Sequence, residues 1–382
     1  MKPWFHAGAG CVVMLLMQAA TPTAMAQDTL RARISGRVID DSTHAPIVNA
    51  NVFIANSMIG TSSDTSGMFA LRNVPEGFCE LVVSCVGFTM SVTHLQIAAG
   101  VSQELDVRLT PKVLSVGVVE VTGRRSEVWL ENLKTFERLM LGSSGEAEEC
   151  RLLNPEVLEF SAEPGGHFRA HTDRVLTVEN MATGYRLHLI LGAFDFDGRW
   201  LSSEYKVRYE EIQPLDPDVR KKWTKHRAEV FSGSLRHFLV SLVNDEVTSE
   251  GFAMYDAESP TKLMGDSPLY EVKRYEVLHQ GSGGLWTFSI RKYLVVTFDR
   301  RRVPMDGAQQ MPEPRRPRDF AAVTPRLRNM RPQLSVLSLP KGAISVDSHG
   351  QIMNQLALKV SGDWAKEGIA HGLPIDYRPG TN

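Results

Sequence analysis

The sequence has 382 residues, 23% of them charged and 43% hydrophobic, with a net charge of −2. That mix excludes wholesale disorder, and the near-neutral balance excludes a global field for nucleic acid or an acidic partner. The length suffices for two domains with substantial cores.

Residues 1–26 have the layout of a secretory signal peptide. Lys2 supplies the positive start, Cys11 to Met17 a short apolar run, and Ala24-Met25-Ala26 the small residues that a signal peptidase reads. The run is shorter than the roughly 20 residues that span a bilayer, and no later segment reaches that length. The expectation is a leader cleaved after Ala26, an exported chain in the periplasm or at the outer membrane, and no transmembrane span in the mature protein.

Alternation carries the strand assignments over residues 32–110. In Gln103 to Leu109 every second residue is apolar and charges fill most of the positions between. Leu81, Val83 and Cys85 share one face of a strand and Val82 and Val86 the other, which predicts burial on both sides. Gly60, Gly67, Gly77 and Gly87 punctuate the run, with Asp64-Thr65-Ser66-Gly67 and Pro75-Glu76-Gly77 as turn chemistry. Short strands at such spacing predict a β-sandwich. Cys79 and Cys85 lie roughly 20 Å apart along an extended strand, too far for a disulfide, which needs Cα atoms about 4.4–6.8 Å apart. Cys150 is free to pair with either, or all three remain buried thiols.

These residues carry a resemblance. Gly36-Arg37-Val38, Pro46 with Asn49-Ala50-Asn51-Val52, Gly60-Thr61, Asp64 with Gly67-Met68-Phe69, Val74 to Gly77 and Ser84 to Phe88 together resemble the carboxypeptidase regulatory-like domain. The resemblance implies a seven-stranded, transthyretin-like or Ig-like sandwich of the kind found in Bacteroidetes envelope proteins. In that family it commonly precedes a TonB-dependent receptor or a SusC-like importer, and Val118 to Gly123 resembles the segment leading into one. No plug follows here, and the remainder is too short for a large barrel.

Residues 111–131 read as a linker and 132–299 as a mixed α+β, strand-rich domain. Leu133, Phe136, Leu139 and Met140 share a helical face, and a second short helix is expected over 146–151. Asn154-Pro155 marks a break. Strand character follows at 167–179, 184–196 and 205–211, helix pattern at 216–243, then strands at 251–255, 270–278 and 285–298. Residues 300–333 are rich in Pro and Arg, from Arg300 to Arg331, and read as a solvated loop or an anionic-surface contact. Residues 334–382 continue the C-terminal domain. Cys150, Leu153 to Leu158, Val178 to Asn180 and Leu373 to Pro379 resemble the uncharacterised C-terminal region of many exported Bacteroidetes proteins, which implies no known activity.

Chemical motifs are sparse. His226 and Glu229 have the His-x-x-Glu spacing of a zinc peptidase, with His349 as a distant third ligand, but Arg220, Lys221, Lys222 and Lys225 surround the pair and would repel a dication. His167 and His171 are four apart in an extended pattern, which separates them. Gly281-Ser282-Gly283-Gly284 lacks the spacing of a phosphate loop. Trp200, Trp286 and Trp364 are either core residues or sugar-stacking platforms. The reading is an exported, mainly β, non-enzymatic protein without cofactor or metal that presents a surface to an envelope protein or a glycan. The alternatives are a zinc-dependent hydrolase built on His226, Glu229 and His349, or an accessory partner of a SusC-like importer.

Overall fold

A computed structural model describes residues 32–112, 126–163, 167–198, 201–214, 216–259, 270–299 and 333–380. The expected leader at residues 1–26, the 118–123 segment, Trp200 and the Arg300–Arg331 stretch lie outside them.

The alternation in the front third resolves into seven strands: β1 (Ala32–Asp40), β2 (Asn51–Ile54), β3 (Gly60–Ser62), β4 (Met68–Val74), β5 (Gly77–Ser84), β6 (Ser91–Ile97) and β7 (Ser102–Leu109). They form two sheets, β4-β1-β7 and β3-β2-β5-β6. β7 returns parallel to β1, and Gly36 permits the approach, since a Cβ there would sit 1.8 Å from the Leu105 carbonyl oxygen. Ile34, Val38, Phe69 and Leu71 from one sheet meet Val52, Ile54, Leu81 and Val83 from the other in one core. β5 is buried on both sides as far as Val82, but Val86 is 80% exposed, because it lies past the end of the strand in the turn at Gly87.

Residues 126–231 build a second core. α1 (Glu127–Leu141) starts at Ser126, whose hydroxyl accepts from the Trp129 N–H, and buries Phe136 and Met140 on the expected face. α2 (Gly145–Glu148) stops short of the expected helix, and its last residues instead form β8 (Cys150–Leu152). β9 (Glu159–Glu163), β10 (His167–His171), β11 (Leu176–Asn180), β12 (Tyr185–Phe196) and β13 (Leu201–Glu211) follow, then α3 (Pro217–Phe231). β8-β11-β12-β10-β9 form one sheet, and β13 pairs with the opposite edge of β12. Tyr185, Leu187, Leu189 and Leu191 alternate into the core. A bulge at Gly192 then shifts the register, so that Phe194 is buried next.

The third core begins with α4 (Leu235–Asn244), capped by the Ser234 side chain. It is followed by β14 (Phe252–Ala257), β15 (Tyr270–Glu271), α5 (Arg274–Val277), β16 (Leu278–Gln280), β17 (Trp286–Ser289), β18 (Tyr293–Phe298), β19 (Gln333–Ser338), β20 (Ala343–Val346) and β21 (Lys359–Gly362). The sheets are β15-β14-β18-β19-β21 and β16-β17-β20, packed around Phe238, Phe252, Phe288 and Trp364. The strand expected over 270–278 is interrupted, because the Glu276 carboxylate accepts from the Lys273 N–H and starts a helical turn there.

The C-terminal segment ties the three cores together. Ile369 and Leu373 enter the second core, and Ile375 enters the sandwich core. The Arg236 guanidinium donates to the carbonyls of Pro374 (2.6 Å), Ile375, Tyr377 and His349. That network accounts for the Leu373-Pro374-Ile375 segment: its backbone oxygens solvate a cation from which water has been excluded.

Candidate binding cleft

The β12–β13 hairpin has two different neighbours. At its Val207–Tyr209 end it meets the sandwich. The Asn56 N–H donates to the Val207 carbonyl (2.6 Å), and the Tyr209 N–H donates to the Ser57 carbonyl (2.8 Å). Beside this ladder, Phe53, Ala55 and Val82 on the outer face of the sandwich pack with Ile190. The Lys206 ammonium donates to Glu80 at 2.7 Å with both side chains buried, and the second Glu80 oxygen meets His94 at 3.1 Å. The sandwich is therefore docked by backbone pairing, apolar contact and a desolvated ion pair.

The Leu201–Tyr205 end opens on a cleft of about 740 Å³. Phe196, Leu201, Ser202, Ser203 and Tyr205 form one wall, and Leu358, Val360, Ser361 and Gly362 form the other. Arg138, Leu139 and Ser143 come from the end of α1, with Leu235, Ile352, Gln355 and Ala365 completing the lining. Burial pushes the Tyr205 phenol up, so it remains a neutral hydroxyl. Apolar side chains and hydroxyls share this surface with a single cation, Arg138. Among the described residues no carboxylate, imidazole or thiol lines it. Among the described residues the lining offers shape, hydrogen-bonding groups and one positive charge.

The sequence-derived candidates lie elsewhere. His226 and Glu229 meet one turn apart on α3, with Nδ1 to Oε2 at 3.4 Å. Their further neighbours are Glu146, 3.4 Å from the His226 Nε2, and, across Glu146, His371 at 2.9 Å. His349 does not join them. It sits in the turn after β20, where the Asp347 carboxylate accepts from the His349 and Gln351 N–H groups, and its ring approaches Gly77 of the sandwich. Among the described residues no group of three His, Cys, Asp or Glu is placed to hold a metal ion. The spacing that relates His226, Glu229 and His349 in the sequence does not bring the three together in the fold. His371 is held below its usual range by burial, despite the hydrogen bond to Glu146.

The remaining signals have structural roles. His167 pairs with Asp195 and His171 with Asp173. Asp64 accepts from the Ser66 and Met68 N–H groups, as turn chemistry requires. Gly281 to Gly284 close the β16–β17 hairpin. Trp364 is buried and donates to the Gly233 carbonyl, and Trp286 lies under the Arg274 guanidinium at 4.9 Å. Cys79, Cys85 and Cys150 are unpaired thiols, and burial pushes Cys79 and Cys150 up to about 12, which makes them inert. The cleft residues escaped the sequence reading because they come from several distant segments, each of which reads as ordinary amphipathic structure.

The architecture is a β-sandwich joined to a strand-rich body. Residues 34–121 match the sequence model of the CarboxypepD_reg-like domain, and the front sandwich is that domain. No curated protein matches the chain. Among solved structures, a DUF3823 family protein from Parabacteroides merdae is similar at 11% identity and TM-score 0.19, covering 48% of this chain and 82% of that one. A putative membrane-associated protein of unknown function from Bacteroides fragilis is similar at 12% identity and TM-score 0.18, covering 49% and 84%. A pilus 2b backbone protein of group B streptococcus is similar at 13% identity and TM-score 0.19, and this chain spans 41% of its length.

Proposed function

We propose that the protein is an exported, non-enzymatic component of the cell envelope. In this reading the CarboxypepD_reg-like sandwich and the body form one scaffold, and the cleft beside the hairpin receives a protein or glycan partner at the outer membrane. The supporting observation is the lining of the cleft, which is large enough for a ligand yet carries hydroxyls, apolar side chains and one arginine in place of catalytic groups. The leader-like residues 1–26 support export.

Two measurements test this. Fractionation of the native host places the chain in the envelope with residues 1–26 removed, whereas a full-length chain retained in the cytoplasm overturns export. Purified protein assayed on peptide substrates is inactive and binds no stoichiometric zinc. Peptidase activity that disappears together with bound zinc in a His226→Ala variant overturns the non-enzymatic reading.

A further inference from the structure

The backbone of the cleft walls carries more information than their side chains. In an antiparallel strand, successive residues direct their N–H and C=O groups to opposite edges. Val207 and Tyr209 direct theirs away from β12, to Asn56 and Ser57. Continuing that alternation along β13, whose partner β12 carries the bulge, Leu201, Ser203 and Tyr205 also direct theirs outward. Among the described residues, β13 has no strand partner on that side over 201–205.

The opposite wall repeats the pattern. The Asp363 N–H donates to the Leu334 carbonyl (3.0 Å), which places Asp363 and Ser361 toward β19. Val360 and Gly362 therefore point outward, and β21 is the last strand of its sheet. All five of these outward-pointing residues line the cleft. Two strand edges without a strand partner among the described residues thus face one cavity, an arrangement that templates pairing with another chain. Arg138 also lines the cavity and is exposed, with no hydrogen bond or ion pair to a described residue.

We infer that the cleft binds an extended peptide segment of a partner protein by strand addition to the Leu201–Tyr205 edge, with an acidic side chain of that segment on Arg138. Main-chain hydrogen bonds supply the affinity, and the apolar positions of the lining select alternate side chains. Among the described residues Arg138 is the only charged group in the lining, so charge complementarity makes the peptide's polar anchor a carboxylate. This inference rests on the binding reading above and names the chemistry of the ligand.

The test uses the full mature chain with a display library of random ten-residue peptides and, separately, a panel of oligosaccharides. The expected result is selection of peptides with alternating apolar residues and an Asp or Glu. Hydrogen exchange of the complex then slows at Ser203, Tyr205, Val360 and Gly362. Ser203→Pro removes an outward N–H that no described residue accepts, and edge strands tolerate proline there. It weakens peptide binding by about tenfold, the scale of one lost hydrogen bond, while the melting curve is unchanged. Arg138→Glu weakens acidic peptides and switches the selection to basic ones. Peptide binding indifferent to both substitutions overturns the inference. Oligosaccharides protecting the cleft while peptides do not bind overturn strand addition and leave the binding reading standing. Failure of both classes overturns the two together.

Discussion

One strand, β13, has two contrasting halves. Residues 206–209 are sealed: Lys206 is paired with Glu80, and Val207 and Tyr209 exchange backbone bonds with the sandwich. Residues 201–205 are open, with their outer edge on a cavity. Both halves pair with β12 along one edge, so the difference lies in what reaches the other edge. The loop after β2 presents a ready-made edge partner at Asn56, which adopts a left-handed conformation (φ 58°) that asparagine tolerates. Nothing in the described chain does the same at Ser203. A sandwich that begins as an appended module has become part of the body's framework, while residues 201–205 of the same strand have no strand partner on that side among the described residues.

The comparison breaks most sharply at the sealed end. Glu80→Ala leaves the Lys206 ammonium buried without a carboxylate and lowers stability by about 3–5 kcal/mol in urea unfolding. The double variant Glu80→Leu with Lys206→Met recovers most of the loss. If the single variant unfolds like the wild type, the interface is wetter than its burial implies.

Next in size is a pH effect beneath the open end. Burial pushes the Glu367 carboxyl up to about 8, helped by the negative neighbours Asp363 and Glu146 and opposed by a hydrogen bond from Gln333. A raised acid pKa means that the folded state holds a proton which the unfolded state releases. This contribution is therefore fully present below about 4.5 and is lost as pH rises through about 8. Between pH 6 and pH 8 the loss is on the order of 3 kcal/mol, and Glu367→Gln removes it. Unfolding free energies of the two proteins at pH 6 and pH 9 should diverge at the higher pH, with the variant more stable. Parallel profiles would show the carboxyl ionised in the folded protein. Burial holds His371 below its usual range, so it titrates within this window, but it does so in both proteins and cancels in the comparison, whereas Glu146 is lowered and acts below the window.

A smaller effect separates backbone from side chain at the seal. Asn56→Ala strains the left-handed position and loses the 2.6 Å bond to Gln351, at about 1–2 kcal/mol. Asn56→Gly relieves the strain and loses the bond alone, so it should be the milder variant by thermal denaturation. Smallest of all is Ser361→Ala on the cleft wall, expected within about 0.5 kcal/mol of wild type because the site is partly solvated. A large loss there would mean that the cleft is a packed seam.

Much of the secondary structure was legible in the chain. The stripe of Phe136 and Met140, the alternation of Leu187, Leu189 and Leu191, and the turn residues of the sandwich all act through nearest neighbours on one face, and the face was read correctly. The 216–243 helix pattern resolved into α3 and α4 around Gly233, whose φ of 83° and lack of room for a Cβ make it the break. Val86 was misjudged because alternation does not say where a strand ends. His349 lies beside Asp347 and Gly77 and apart from His226, because a residue count is no measure of distance in a folded chain.

By itself the sequence determined the export-type leader pattern, the β-sandwich with its CarboxypepD_reg-like signature, and the strand-rich character of the rest, since composition and periodicity act locally. Tertiary structure alone decided that Glu80 faces Lys206, that Arg236 gathers the C-terminal carbonyls, and that two strand edges from separate sheets face one cleft. An unpaired edge is a property of what fails to arrive beside a strand. No local pattern encodes it, because the same alternating residues serve a paired strand and an open one equally well.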